Sequence, residues 1–231
     1  MQRKTFAVDI DGTITENGGG RIHLGALNML RYMRSLGHNV VLVSGRSSVE
    51  GYLLSVFGGL NTIAVGENGG CITSNANEHV LLGDKKKCVD ALQVIRSEIG
   101  GVTEKPVFPR LTEVVLERTF DVNDAIGVAG AKGLDVVISD SQYAIHINSA
   151  GIDKAAGFEH VMKRLEVDRA DVISIGDSAT DIPLFKMSGF SIAVGNASDE
   201  VKSFATMSVL SHAGDGVVEA LNKIAPTVLR S

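Results

Sequence analysis

Between residues 40 and 43 the chain reads Val-Val-Leu-Val, with no polar residue among them. A strand with one wet face would alternate, so an uninterrupted run of this kind belongs in a sheet covered on both faces. Parallel sheets meet that condition, because the helices that cross between their strands lie on both sides. The same grammar surrounds this run. The segment TFAVDI reads as a short buried strand, and Leu27, Leu30, Met33 and Leu36 then recur at helical spacing up to Gly37, a good helix terminator. A second helix and a strand at 62–65 follow, ending at Glu67-Asn68-Gly69-Gly70. Near the C-terminus the alternation returns: helix at 154–165, strand at 172–175, helix at 182–187, strand at 191–194, and a last helix at 216–225 stopped by Pro226.

The middle has a different character. Residues 86–99 and 121–132 carry helical patterns, and 113–119, 134–139 and 143–148 carry strand patterns in adjacent pairs. Val114 and Leu116 alternate with Val115 and Glu117, as in a sheet with one wet face, and Ser139-Asp140-Ser141-Gln142 is a plausible hairpin turn. A Gly-rich loop spans Asn17 to Gly20. The expected fold is α/β: a Rossmann-like core with a parallel sheet over 1–81 and 153–231, carrying a small α+β insert over 82–152 ordered αββαββ.

Open parallel sheets bind ligands at the carboxyl ends of their strands. Here those ends are Asp9 and Asp11, Ser44, and Gly176-Asp177-Ser178-Ala179-Thr180-Asp181, with Lys154 opening the preceding helix. Carboxylates gathered in one crevice repel one another, and a divalent cation removes the conflict; hard oxygen ligands favour Mg²⁺. A cation with Lys154, Ser44 and the backbone N–H groups of the Gly12-Thr13 turn would cradle a phosphate. A carboxylate beside it could attack phosphorus, and a second one two residues on could carry the proton.

The run Asp9-Ile10-Asp11-Gly12-Thr13-Ile14 resembles the signature of the haloacid dehalogenase (HAD) superfamily of aspartate-nucleophile phosphatases. Ser44, Lys154 and Gly176 to Asp181 resemble its other three motifs, in order. The resemblance covers about 1–80 and 153–231, and the insert stands where the Cof-like branch carries its cap, a branch that also has Glu67-Asn68-Gly69-Gly70 after the third strand. Thr180 stands where that branch often has Asn. The small cap is similar to that of the archaeal members acting on 2-phosphoglycolate, which implies Mg²⁺-dependent hydrolysis to glycolate and phosphate. By the same resemblance Asp9 is the nucleophile and Asp11 the acid/base. Asp9, Asp11 (through its carbonyl), Asp177 and Asp181 hold the metal, directly or through water. Ser44, Lys154, Gly12 and Thr13 bind phosphate, and Asn68 reaches the substrate.

Other features narrow the field. A net charge of −5 with 5% aromatics and no Trp argues against a nucleic-acid partner. No apolar run approaches the length of a bilayer span, and the N-terminal apolar stretch is broken at Asp9 and Asp11, unlike a leader peptide. Cys71 and Cys88 therefore read as free thiols of a cytoplasmic protein, monomeric or homodimeric. Lys85-Lys86-Lys87 reads as a solvated helix start. Arg110, Arg118 and His146 lie on the insert's strands or at their ends, and are candidates to read a substrate carboxylate. Rival readings are a sugar-phosphate phosphatase, a phosphomutase and a phospho-acceptor signalling module.

Overall fold

A computed structural model describes residues 3–16, 20–141 and 143–228. Of the expected turns, Asn17 to Gly19 and Gln142 lie outside the described residues. The chain opens with β1 (Thr5–Val8), α1 (Leu24–Ser35), β2 (Asn39–Val43), α2 (Ser48–Gly58) and β3 (Ala64–Gly66). It continues through β4 (Cys71–Asn75), β5 (Glu78–Leu81), α3 (Lys85–Glu98), β6 (Val114–Leu116), α4 (Val122–Ala131), β7 (Val136–Asp140) and β8 (Ile145–Ser149). It closes with α5 (Lys154–Leu165), β9 (Val172–Gly176), α6 (Ile182–Met187), β10 (Phe190–Ala193), α7 (Asp199–Phe204), β11 (Met207–Ser208) and α8 (Ala213–Val228).

Eight strands form one sheet in the order β11-β10-β9-β1-β2-β3-β4-β5. The six from β11 to β3 run parallel, and β4 and β5 extend the edge as an antiparallel hairpin. The apolar run in β2 is explained by its two faces. Val40 and Leu42 pack with Phe6, Val8 and Ile175 against α1 and α8, through Leu30, Met33 and Leu221. Val41 and Val43 pack with Ala7 against Phe158 and Val161 of α5. Helix starts are written locally: Ser47 and Glu50 form a reciprocal capping box on α2, and Asp84 and Asp153 cap α3 and α5.

A second sheet, ordered β6-β8-β7 and antiparallel, packs Val114, Leu116, Ile145 and Ile147 against Cys88, Leu92 and Ile95 of α3 and Ala125 of α4. The strand expected before β6 amounts to an isolated bridge between Glu104 and Leu116, because the chain there is interrupted by Pro106 and Pro109. The supposed wet face is covered along β6 and β8 and open only at β7, where Val137 is exposed. His146 and Asn148 on β8 are buried and bonded to Glu113 and to the Glu67 carbonyl, so the polar side of this sheet is turned toward the large one. Helix α8 also runs through Pro226, near its C-terminal end, rather than stopping there. Cys71 and Cys88 are buried and unpaired. Among the described residues no helix is long and apolar enough to cross a membrane.

Candidate active site

The ends of β1, β2, β3 and β9 and the start of α5 converge on a cavity of about 560 Å³ whose opposite wall is residues 106–110 with Tyr143 and His146. At its floor Lys154 Nζ donates to Asp9 Oδ1 at 2.8 Å and to Asp181 Oδ1 at 2.7 Å, all three side chains being buried. Asp181 Oδ2 accepts from the backbone N–H of Asp177 and of Ser178 and from the Ser178 hydroxyl. Thr13 Oγ1 donates to Asp177 Oδ1 at 3.1 Å and lies 3.4 Å from Asp9 Oδ2. Gly12 is required beside it: its φ is +76°, and a Cβ there would lie 2.2 Å from Asp177 Oδ2.

Asp9, Asp177 and Asp181 each present a carboxylate oxygen within 4.8 Å of the others. Burial, with the charges of Asp181 and Asp177, raises the Asp9 pKa well above the usual carboxylate value, against the opposing pull of Lys154. Burial and then the Asp181 charge push Asp177 up to about 7. Burial would lower the pKa of Lys154, but Asp181 and Asp9 overcome it and hold the ammonium above the ordinary lysine value. Such a set of hard, crowded oxygens suits a divalent cation. The Asp11 side chain is outside this cluster. Arg46 grips it through Nε and Nη2, both at 2.7 Å.

Ser44 and Asn68 line the cavity. Asn68 sits in the left-handed region at φ 51°, and its buried Nδ2 has no hydrogen-bond partner among the described residues. That open donor is what an anion would satisfy. In the turn of Gly12 and Thr13 both backbone N–H groups have partners, Gly12 N donating to Thr15 Oγ1 and Thr13 N to the Ile10 carbonyl.

Sequence reasoning missed several groups. Glu50 links two arginines, accepting from Arg46 Nη1 at 3.2 Å and Arg110 Nη1 at 3.1 Å. Glu113, fully buried, accepts from Asn148 Nδ2, and its Oε2 lies 2.9 Å from His146 Nδ1; its Oε1 is 3.1 Å from Arg110 Nε but poorly aligned for a hydrogen bond. Glu67 accepts from the N–H of Leu111 and Thr112 and from the Thr112 hydroxyl. Asn196 Nδ2 donates to the Gly12 carbonyl and to Asp177 Oδ2. Asn196 follows β10, so the strand-end rule that found Asp9 and Asp177 could have found it. Arg110 and His146 reach the cavity; Arg118 does not line it and pairs instead with Asp140.

A parallel sheet with clustered carboxylates at its strand ends and a second small sheet over them defines a class of hydrolase fold. Residues 6–97 and 122–221 match the haloacid dehalogenase-like hydrolase family, and this chain belongs to it. It is 62% identical over 226 residues to a phosphoglycolate phosphatase of Nitrosopumilus maritimus, covering 98% of both chains. With a phosphoglycolate phosphatase of Archaeoglobus fulgidus the identity is 35%, over 94% of this chain and 95% of the other. A solved Thermoplasma acidophilum structure superposes with a TM-score of 0.86 at 23% identity, covering 97% of this chain and 99% of that one. A haloacid dehalogenase-like hydrolase from Bacteroides thetaiotaomicron does so with a TM-score of 0.77 at 21% identity, covering 96% and 100%.

Proposed function

We propose that this protein is a Mg²⁺-dependent phosphomonoester hydrolase that works through an aspartyl-phosphate on Asp9 and acts on 2-phosphoglycolate. The observation that carries the chemistry is the asymmetry of Asp9. Lys154 binds Oδ1 at 2.8 Å, while Oδ2 keeps only the long 3.4 Å contact with Thr13. Oδ2 is therefore the oxygen free to attack. It forms a bond to phosphorus as the ester P–O bond breaks, and the departing alkoxide takes a proton from Asp11. Asp11 then removes a proton from water, the water oxygen bonds to phosphorus, and the Asp9–phosphorus linkage breaks to release phosphate. Ser44, Lys154 and Asn68 orient the phosphoryl oxygens.

Asp9, Asp177 and the Asp11 carbonyl would hold Mg²⁺. Asp181, whose oxygens are already engaged by Lys154, Asp177 N and Ser178, orients that set from behind. The metal ion, when bound, neutralises the crowded carboxylates and stabilises charge on the phosphoryl oxygens. Residues 1–81 and 153–231 act as the core and 82–152 as a cap. Free, buried Cys71 and Cys88 fit a reducing cytoplasm.

The substrate is supported by the two relatives named phosphoglycolate phosphatase, one of them 62% identical from end to end. The test is phosphate release from 2-phosphoglycolate, 3-phosphoglycerate, hexose phosphates and nucleoside monophosphates, each with Mg²⁺ and with chelator. A Mg²⁺-dependent preference for 2-phosphoglycolate is expected, lost in Asp9→Asn. A flat profile would remove the substrate, and full activity in Asp9→Asn would remove the nucleophile.

A further inference from the structure

The cavity falls in the size range that accepts drug-sized ligands, so its volume alone does not select a two-carbon phosphate. What distinguishes 2-phosphoglycolate from other small phosphomonoesters is its second anionic group. A receptor for it must be a cation at the cavity wall that an incoming ligand can reach. Lys154 is buried and committed to Asp9 and Asp181. Arg110 is also buried, with 6% of its side chain exposed, and already stands between Glu50 and Glu113. A third carboxylate there would meet two others.

Arg46 is different. It lines the cavity, a third of its side chain is exposed, and it stands two residues beyond Ser44. Its Nε and Nη2 hold both oxygens of a carboxylate at 2.7 Å, the fork geometry by which a guanidinium recognises that group. The carboxylate now in the fork is that of Asp11, itself two-fifths exposed and two residues from Asp9. Glu50 fixes the remaining nitrogen, Nη1, and so aims the fork.

We infer that the Asp11 carboxylate occupies the place of the substrate's carboxylate, and that 2-phosphoglycolate takes over the Arg46 fork and releases Asp11 for its role at the leaving oxygen. This rests on the 2-phosphoglycolate reading above. The exchange replaces one carboxylate by another on the same guanidinium, and the released Asp11 carboxylate takes up a proton from solvent, the proton it then gives to the leaving alkoxide. A phosphomonoester without a second anion binds its phosphate but leaves Asp11 locked on Arg46. Selectivity then appears in kcat more than in KM, because the discriminating contact frees a group that acts in the transition state.

The test compares 2-phosphoglycolate with ethyl phosphate, which keeps the two-carbon chain and has a methyl group in place of the carboxylate. Both are assayed with Mg²⁺ in the wild type, Arg46→Met and Arg46→Lys, and the fold of each variant is checked by circular dichroism. The wild type should favour 2-phosphoglycolate by about 10²-fold or more, largely in kcat. In Arg46→Met the kcat/KM for 2-phosphoglycolate should fall by about 10²-fold, while kcat for ethyl phosphate rises by about tenfold as Asp11 is unlocked. Arg46→Lys keeps the charge without the fork, and should lose at least about tenfold of the preference. A parallel loss on both substrates, or an unchanged preference in Arg46→Lys, overturns the inference. A wild type with no preference for 2-phosphoglycolate overturns the substrate reading itself, and this inference with it.

Discussion

Lys154→Met tests the electrostatic floor of the site in a way that does not depend on turnover. The substitution keeps an unbranched side chain of similar length and removes one charge. Two contacts disappear, at 2.8 Å to Asp9 and 2.7 Å to Asp181, and two carboxylates with 5% and 0% exposure are left unpaired. Breaking a buried ion pair from one side costs about 3–5 kcal/mol. At a urea m-value of about 3 kcal/mol/M, the unfolding midpoint should drop by about 1–1.7 M at pH 8 in chelator. The loss must also depend on pH. The Lys154 pKa lies above the ordinary lysine value, so its contribution is whole throughout the neutral range and fades only in strong alkali. In the variant, the abandoned carboxylates relieve the defect by taking up a proton, which becomes easier by about 1.4 kcal/mol for each pH unit of acidification. By pH 6 the deficit against wild type should shrink by up to about 2.8 kcal/mol, to about 0–2 kcal/mol. Equal losses at the two pH values, or a loss under about 1 kcal/mol at pH 8, would refute the reasoning.

Three further outcomes follow from the geometry. The Asp177 pKa is raised to about 7, so metal-free protein should lose stability as pH rises from about 4 to about 7, with Asp9 acting in the same direction. The melting-temperature gain on adding Mg²⁺ should accordingly be larger at pH 8 than at pH 5.5, read by calorimetry. Asn196→Ala removes the tie between the Gly12 carbonyl and Asp177 Oδ2, and should raise the Mg²⁺ concentration for half-maximal activity by about 10–100-fold with the fold intact. Gly12→Ala places a Cβ 2.2 Å from Asp177 Oδ2 at a φ of +76°, and should cost at least about 10²-fold in kcat, because the displaced turn carries Asp9 and Asp11.

The parts of the site set by strand ends could be read from the sequence, because an apolar run followed by carboxylates has few other uses. Asp9, Lys154, Asp177 and Asp181 meet in one place for that reason. The parallel sheet was legible for a related one: continuous apolar runs have two covered faces. The β4–β5 hairpin was not, since its burial pattern mixes buried and exposed residues without the contrast of the central strands. Glu113 could not be foreseen, because its role depends on His146 and Asn148, more than 30 residues away in the chain. Arg46 stood beside Ser44 in plain view. Its bond to Asp11 joins side chains 35 positions apart, which spacing alone does not disclose.

Glu67 sets how the two sheets are joined. Its fully buried carboxylate clasps the backbone at Leu111 and Thr112, while its own carbonyl accepts from Asn148 of β8. One turn at the end of β3 thus grips the small sheet at two separate stretches of chain, directly beside Arg110. The smaller layer is thereby fastened to the larger one beside the cavity. Residues 106–109, the stretch that runs into the clasp, carry the exposed Phe108 close to that fastening.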